Sequence, residues 1–163
     1  MMSNHRLTGR SGRRAAVVLG AAALGLATAL PANAATHTAT NTATHTAQTT
    51  SHLVGLSVQS YAAYDRVILT VSSVPGYTVT PTDVLTRASS GKDVTLPGAN
   101  TYLDVELNPA DTLGFTGPTQ VTTGFSEVTA VAELSSWEGY TQVGIGLNHA
   151  AGYTVTVLSP TQL

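Results

Sequence analysis

The sequence predicts an all-β fold, a two-sheet β-sandwich with an internal pseudo-twofold duplication. The first observation is a repeat, in which residues 64–80 (YDRVILTVSSVPGYTVT) match residues 140–156 (YTQVGIGLNHAAGYTVT) without a gap. A duplication of this length is typical of two similar strand groups packed on each other, since a solenoid needs three or more shorter units. The second observation is that short alternating segments are separated by turn residues, and no convincing helical period occurs after residue 34.

Alternating apolar residues define the predicted strands of the first half, at 53–59, 66–72, 77–80, 94–96 and 102–108. In the second of these strands Val67, Leu69 and Val71 are expected to point inward, and Val74-Pro75-Gly76 forms the turn that follows. The alternation at 102–108 is the most regular. It places three apolar side chains in the core and three polar or aromatic side chains (Tyr102, Asp104 and Glu106) outside.

The second half begins with a loop and ends with three strands. Residues 109–125 are rich in Gly and Pro and are predicted to be loop-like. The strands that follow are predicted at 127–134, 140–147 and 153–158. Proline residues lie between the predicted strands, where the missing N–H does least harm to a sheet.

Residues 1–34 have the pattern of a signal peptide. Four arginines precede an uncharged apolar run at 15–30, and Pro31 and Ala32-Asn33-Ala34 supply the break and the small residues that a signal peptidase requires. The apolar run is shorter and richer in Ala and Gly than the roughly 20 strongly apolar residues of a membrane span. We therefore expect cleavage after Ala34 and release without a membrane anchor; general secretory and twin-arginine export both stay open.

Residues 35–51 (ATHTATNTATHTAQTTS) are predicted to be a disordered, Thr/Ala-rich spacer, because they contain too little apolar area to offset the entropy of ordering them. Glycosylation of its threonines is left open. No metal site is predicted for His37, His45 and His52, since a mobile polar tract does not supply convergent ligands. The folded domain is predicted at 52–163.

Composition excludes several classes of function. After residue 34 the chain has three basic residues against nine acidic ones, a formal charge of minus six. Nucleic acid is therefore not an expected partner, because phosphate binding needs clustered Lys and Arg. Cysteine is absent, which excludes thiol catalysis and Cys-ligated metals. No cofactor is predicted, and stability is expected to come from a packed core.

The segments LVGLSV at 53–58, YDRVILTVSSVPGYTVT at 64–80 and WEGYTQVGIGLNHAAGYTVTVLSP at 137–160 resemble the AMIN-like domain of exported bacterial proteins. That family is related to the AMIN module that accompanies cell-wall amidases. The resemblance implies a β-sandwich of two similar sheets and a non-catalytic role at the envelope, with peptidoglycan binding as the associated activity. Such domains usually end on a further strand. Because this chain stops at Thr161-Gln162-Leu163, an exposed sheet edge is expected.

Four aromatic residues are the candidate binding site. The repeat aligns Tyr61 with Trp137 and Tyr64 with Tyr140, each just before a matching strand. The two corners are expected to form one surface that binds a glycan, with Glu138 and Gln142 as nearby polar groups. In the alternative interpretation these rings fill the ends of the core.

Arg66 has two interpretations. It either contacts its neighbour Asp65 at the start of the strand or binds a ligand carboxylate with its guanidinium fork. His149, in contrast, is expected to be a solvated loop residue.

The preferred function is thus a secreted, non-catalytic cell-envelope module that binds peptidoglycan or another wall glycan. The alternative is a protein-interaction module that adds a partner's strand to an open sheet edge. A carboxylate-based hydrolase using Asp104 and Glu106 is the weakest hypothesis, because an outward pair on an amphipathic strand is normally a solvated surface. The chain contains no G-x-S-x-G, H-E-x-x-H or phosphate-loop motif.

Overall fold

The computed structural model describes residues 39–41 and 49–163, and all regular structure in this part is β-strand. The eleven strands of the described residues are β1 (Ala39–Asn41), β2 (Ser51–Ser60), β3 (Asp65–Val71), β4 (Gly76–Thr82), β5 (Leu85–Arg87), β6 (Lys92–Val94), β7 (Thr101–Asn108), β8 (Ala110–Asp111), β9 (Gln120–Thr122), β10 (Val128–Trp137) and β11 (Tyr140–Leu147).

The strands form two facing sheets and a separate hairpin. The large sheet has six strands in the order β1-β4-β7-β11-β10-β9, with antiparallel neighbours throughout. The small sheet has the order β3-β2-β8, in which β2 and β3 are antiparallel and β8 runs parallel to β2. Strands β5 and β6 form the hairpin. The predicted all-β sandwich is confirmed.

The main core lies between the two sheets. Leu53 and Leu69 of the small sheet pack in one buried cluster with Leu107, Val131 and Ile145 of the large sheet. All five side chains are almost completely removed from solvent. Because burial of one such side chain contributes about 1.5–3 kcal/mol, this cluster is the main source of stability in a domain without cysteines.

The β5–β6 hairpin covers the outer face of the large sheet and makes a third layer there. Leu85 and Leu96 pack with Tyr102 and Leu134 in a second buried cluster, separate from the main core. Tyr102 was predicted to point outward, and it does lie on the outer face, but the hairpin leaves it only 7% exposed. The prediction of a solvated face is therefore wrong at this position.

Two glycines of β11 let the hairpin approach the sheet. A Cβ atom added at Gly144 would lie 2.5 Å from Leu85 Cδ2, and one added at Gly146 would lie 2.8 Å from the Cβ of Ala99. Real Cβ atoms do not come this close to other heavy atoms. At Gly144 the neighbouring atom is the end of the flexible Leu85 side chain, whereas at Gly146 it is a Cβ atom fixed to the backbone, so the need for glycine is strict at Gly146. The repeat places Ile68 and Thr70 of β3 at the equivalent positions.

The edge of β3 is partly covered by the last residues of the chain. The Leu69 N–H donates to the Leu163 carbonyl (2.7 Å), the Leu163 N–H donates back to the Leu69 carbonyl (3.0 Å), and the Val71 N–H donates to the Thr161 carbonyl (2.9 Å). The Leu163 side chain is buried in the main core. An exposed edge was expected from the resemblance, and along this part of β3 it is paired instead.

The strand predicted at 153–158 does not form. These residues take part in no ladder, although Val155 and Val157 pack against the main core and the Tyr153 hydroxyl donates to the Val79 carbonyl (3.2 Å). The same letters GYTVT form part of β4 at residues 76–80. Because the two copies differ here, the duplication stays a prediction, even though β2–β3 and β10–β11 are both antiparallel hairpins.

The N-terminal predictions fall mostly outside the described residues. This holds for the whole signal peptide at 1–34 and, within the spacer, for residues 35–38 and 42–48. Residues Ala39–Asn41 of the spacer pair with β4 as strand β1, where disorder was predicted. Ser51 is buried at the start of β2, so the folded part begins one residue before the predicted boundary. The residues that the structure describes contain no helix long and apolar enough to cross a membrane.

The predicted loop at 109–125 contains two short strands. Ala110–Asp111 is β8, and Gln120–Thr122 is β9, which pairs with β10 at the edge of the large sheet. His149 was predicted to be solvated; its side chain is half-exposed, but its Nε2 lies 2.9 Å from Oε2 of the buried Glu127. The predicted exposed loop position is thus confirmed, and the contact with Glu127 is an addition to it.

Candidate functional site

The turn between β10 and β11 presents two aromatic side chains on one face. Trp137 and Tyr140 are direct cross-strand partners, so their side chains lie on the same side of the large sheet. The two residues between them, Glu138 and Gly139, both have positive φ (51° and 82°), as a tight two-residue hairpin turn requires. The Ala110 N–H donates to the Gly139 carbonyl (2.7 Å), which holds the turn in place.

A pocket opens beside this turn, between the outer face of the large sheet and the β5–β6 hairpin. Its cavity volume is about 130 Å³, and it is lined by Ala88, Glu106, Ser135, Trp137, Glu138, Tyr140, Thr141 and Gln142. We call it the aromatic pocket. Trp137 is 45% exposed and Tyr140 is 50% exposed, although both are large apolar side chains. An exposed aromatic pair beside a concave surface is typical of a binding site.

Gln142 forms the floor of the aromatic pocket, and its amide is fully used within the protein. Its Nε2 donates to the Thr86 carbonyl (2.9 Å) and to the carboxylate of Asp104 (3.0 and 3.1 Å). Its Oε1 accepts from the Ala88 N–H (2.8 Å) and from the Ser135 hydroxyl (3.3 Å). Gln142 thus ties the hairpin to the sheet and also lines the aromatic pocket, and its predicted role in ligand binding stays a prediction.

The two carboxylates considered for hydrolysis are placed differently. Glu106 is exposed and lines the aromatic pocket, whereas Asp104 is partly buried against Gln142 and is not among the lining residues. Burial raises the pKa of Asp104; the hydrogen bond from Gln142 opposes this shift, and the charge of Glu106 adds to it. The pair therefore does not face one open cleft, as the two carboxyl groups of a glycosidase must.

The raised pKa of Asp104 predicts a pH-dependent effect on stability. The folded carboxyl keeps its proton to higher pH than the unfolded one, so its contribution to the free energy of unfolding falls as the pH rises from 3.8 through the folded pKa. The Asp104→Asn substitution removes this loss of stability, because asparagine does not ionise. Its side-chain oxygen still accepts the hydrogen bond from Gln142. We expect the variant to be more stable than the wild type at neutral pH, with the difference shrinking below pH 3.8. Urea unfolding at both pH values measures it.

Asp111→Asn is the control with the opposite sign. A hydrogen bond with His52, at 2.5 Å between Asp111 Oδ1 and Nδ1, lowers the pKa of Asp111, and the Leu113 N–H adds to the effect. Its stabilisation is present above pH 3.8 and is lost as the pH falls through the folded pKa. This variant is expected to be less stable than the wild type at neutral pH. If both variants are less stable than the wild type at neutral pH, the interpretation of Asp104 is wrong.

Tyr61, Tyr64 and Arg66 form a second group, at the turn between β2 and β3; we call it the Arg66 cluster. The two rings stack with centroids 4.7 Å apart. The guanidinium carbon of Arg66 lies 4.8 Å from the Tyr61 centroid and 5.7 Å from the Tyr64 centroid, and Nη2 donates to the Tyr64 hydroxyl (3.0 Å). The Tyr61 hydroxyl donates to Gln59 Oε1 (2.7 Å). These rings lie on the surface and do not fill the core.

Asp65 and Arg66 do not form an ion pair. The Asp65 side chain is buried, and its Oδ2 accepts from the N–H groups of Glu127 and Val128, both at 3.1 Å. Because successive side chains of a strand point to opposite faces, Asp65 lies between the sheets and Arg66 lies outside. Of the two interpretations of Arg66, the contact with Asp65 is therefore wrong.

The aromatic pocket and the Arg66 cluster lie at opposite ends of the sandwich. Asp65, beside the cluster, bonds to Val128, the first residue of β10, and Trp137 is the last residue of the same strand. A ten-residue strand is about 30 Å long. The structure therefore brings together Trp137, Glu138, Tyr140 and Gln142 at one end and Tyr61, Tyr64 and Arg66 at the other. The prediction that the two corners form one surface is wrong.

A family model described as AMIN-like domain matches residues 51–163. The chain belongs to the AMIN-like domain family. An AMIN-like domain is a cell-wall-related module, and such domains occur in cell-envelope proteins, which indicates an extracellular or envelope location. No curated protein and no solved structure matches the chain.

Several residues that line the aromatic pocket were not predicted from the sequence to take part in binding. Ser135 and Ala88 gave no signal, because small residues on a strand or turn carry no pattern of their own. Glu106 was considered only as half of a catalytic pair. Its position opposite Gln142 in the ladder between β7 and β11 could have been found only from the strand order. Within residues 39–41 and 49–163, no group of three or more His, Asp or Glu side chains could hold a metal ion.

Proposed function

We propose that this AMIN-like protein is a secreted, non-catalytic module of the cell envelope that binds peptidoglycan or another wall glycan in the aromatic pocket. The observation that carries the proposal is the exposed pair Trp137 and Tyr140 beside a concave, hydrogen-bonding surface. Its location in the envelope is supported by the family. The mechanism requires no bond to be broken, only complementary contact.

The chemistry of the aromatic pocket suits a neutral or amine-bearing sugar. Aromatic rings offer the flat apolar surface against which the C–H face of a pyranose packs, and Tyr and Trp keep a polar handle beside it. Glu106 and Glu138 supply carboxylate oxygens that accept hydrogen bonds from sugar hydroxyls, acetamido N–H groups or an amine. An anionic polymer would be repelled by the same carboxylates and by the net charge of minus six after residue 34.

Co-sedimentation of residues 35–163 with purified peptidoglycan sacculi tests the proposal. We expect the wild type to pellet with sacculi and the double variant Trp137→Ala, Tyr140→Ala to lose at least about tenfold in apparent affinity. That loss is the expected size, because truncating one aromatic anchor of a binding site typically costs about 2 kcal/mol. Both residues are half-exposed at a turn, so the folded structure should survive the change.

Leu113→Ala is the matched control, since it removes a large apolar side chain that is 70% exposed and lies outside both the aromatic pocket and the Arg66 cluster. It should pellet as the wild type does. If the folded double variant still pellets with sacculi, the binding site lies outside the aromatic pocket. If the wild type itself stays in solution, the wall-glycan proposal fails, and strand addition by a protein partner becomes the next hypothesis, with β9 at the edge of the large sheet as the first strand to examine.

A further inference from the structure

The Arg66 guanidinium is held in a fixed position by aromatic groups. Its carbon lies within 6 Å of the centroids of both Tyr61 and Tyr64, and those rings stack on each other. One nitrogen, Nη2, donates to the Tyr64 hydroxyl. Such contacts restrict the rotamers of a long side chain before any ligand arrives, which reduces the entropy that binding must remove.

No carboxylate neutralises Arg66 among the residues that the structure describes. The ion pairs of this part of the chain both involve histidine, His52 with Asp111 and His149 with Glu127. Asp65, the adjacent acid, points between the sheets and bonds to backbone N–H groups. The buried Nε of Arg66 has no hydrogen-bond acceptor in the described structure. Among the described residues none of the three cations, Arg66, Arg87 and Lys92, forms a direct ion pair with a carboxylate, and Arg66 differs from the other two in the rings that fix its guanidinium and in its buried Nε without an acceptor.

Gln59 lies next to this cation and offers a second kind of donor. It is the direct cross-strand partner of Arg66, so the two side chains lie on the same face of the small sheet. Its Oε1 accepts from the Tyr61 hydroxyl. Its amide nitrogen remains a donor, which a ligand carbonyl can use. A guanidinium fork and an amide donor side by side match a carboxylate and the amide carbonyl that precedes it in a peptide.

We propose that the Arg66 cluster is a second binding site, which takes the C-terminal carboxylate of a short peptide. Arg66 pairs with the carboxylate through its fork, and Gln59 donates to the carbonyl of the preceding amide. Tyr61, which is 39% exposed, packs against the terminal side chain. The site goes beyond the glycan binding proposed for the aromatic pocket and does not depend on it, since about 30 Å of β10 separates the two ends.

Titration of residues 35–163 with N-acetylalanine, followed by two-dimensional NMR, tests this site. We expect saturable shifts confined to the backbone amides of 59–66 and to the Arg66 Nε–H signal. N-acetylalanine amide, which lacks the carboxylate, should produce none of these shifts. Arg66→Lys keeps the charge but loses the fork, and its dissociation constant should rise at least about tenfold. Trp137→Ala, Tyr140→Ala should bind N-acetylalanine as the wild type does, which separates this test from that of the proposed function.

The source of the carboxylate is resolved by two further titrations. Gln59→Ala retains the guanidinium, so it should weaken N-acetylalanine binding several-fold while leaving binding of acetate unchanged; this variant also serves if Arg66 variants do not fold. Glucuronate, a sugar carboxylate, should bind more weakly than N-acetylalanine. Shifts that are equal for the acid and the amide, or tighter binding of glucuronate, would overturn the proposal.

Discussion

Asp65→Ala is expected to lower the free energy of unfolding by about 3 kcal/mol. Asp65 Oδ2 accepts hydrogen bonds from two buried backbone N–H groups, those of Glu127 and Val128, and so ties β3 of the small sheet to the start of β10 in the large sheet. Alanine leaves both donors without a partner in a region closed to water, and each buried donor left unsatisfied costs about 1–3 kcal/mol. Urea unfolding followed by the fluorescence of Trp137 measures the change.

Two variants establish that the lost acceptor is responsible. Asp65→Asn keeps one oxygen at this position and should lose only about 1 kcal/mol. Asp93→Ala removes a carboxylate from an exposed position in the β5–β6 hairpin and should change stability by less than about 0.5 kcal/mol. If Asp65→Ala is as stable as Asp93→Ala, the two N–H groups are satisfied in another way and the connection between the sheets does not depend on Asp65.

Gly146→Ala is expected to lower the free energy of unfolding by about 2 kcal/mol. The added Cβ would lie 2.8 Å from the Cβ of Ala99, 3.0 Å from Thr129 Oγ1 and 3.2 Å from the Cβ of Leu96. Two of these neighbours are Cβ atoms, which cannot move without the backbone, so the third layer must shift away from the large sheet. Overpacking of this kind typically costs about 1–3 kcal/mol. Thermal and urea unfolding measure the change.

Gly124→Ala is the matched control. A Cβ atom at Gly124 meets no atom within 4 Å, and the residue is exposed. Alanine there should leave stability unchanged or raise it slightly, because it restricts the unfolded chain. If the two variants are equally stable, the segment after β6 that contains Leu96 and Ala99 does not pack on β11 as closely as the structure shows.

The strands that carry large alternating side chains were predictable from the sequence. Residues 66–72 and 102–108 match β3 and β7 to within one residue at each end, because a half-buried strand needs apolar side chains at every second position. The same rule explains the failure at 153–158. Val155 and Val157 are packed against the core as the pattern requires, but alternation reports which side chains are buried and not whether the backbone joins a ladder.

The third layer was not predictable from the sequence, and for that reason the aromatic pocket was not predictable either. β5 has only three residues, too few to show a period, and the role of Gly144 and Gly146 depends on a hairpin that lies about 50 residues earlier in the chain. Without that layer the outer face of β7 appears solvated and no pocket exists there. The sequence did indicate Trp137 and Tyr140 as exposed candidates. The sequence could not show that Tyr61 and Tyr64 lie at the opposite end of the sandwich. The repeat aligns equivalent positions of the two hairpins, but it does not determine how the hairpins are oriented relative to each other.

The pairing of the last residues with β3 has a consequence for the order in which the domain folds. β3 begins at Asp65, and its edge is completed by Thr161 and Leu163, almost the full length of the folded part away in sequence. Contacts between such distant residues slow folding, because a long loop must close before they form. The β2–β3 hairpin is available early in synthesis, but the sheet that contains it cannot be finished until Leu163 has been added to the chain.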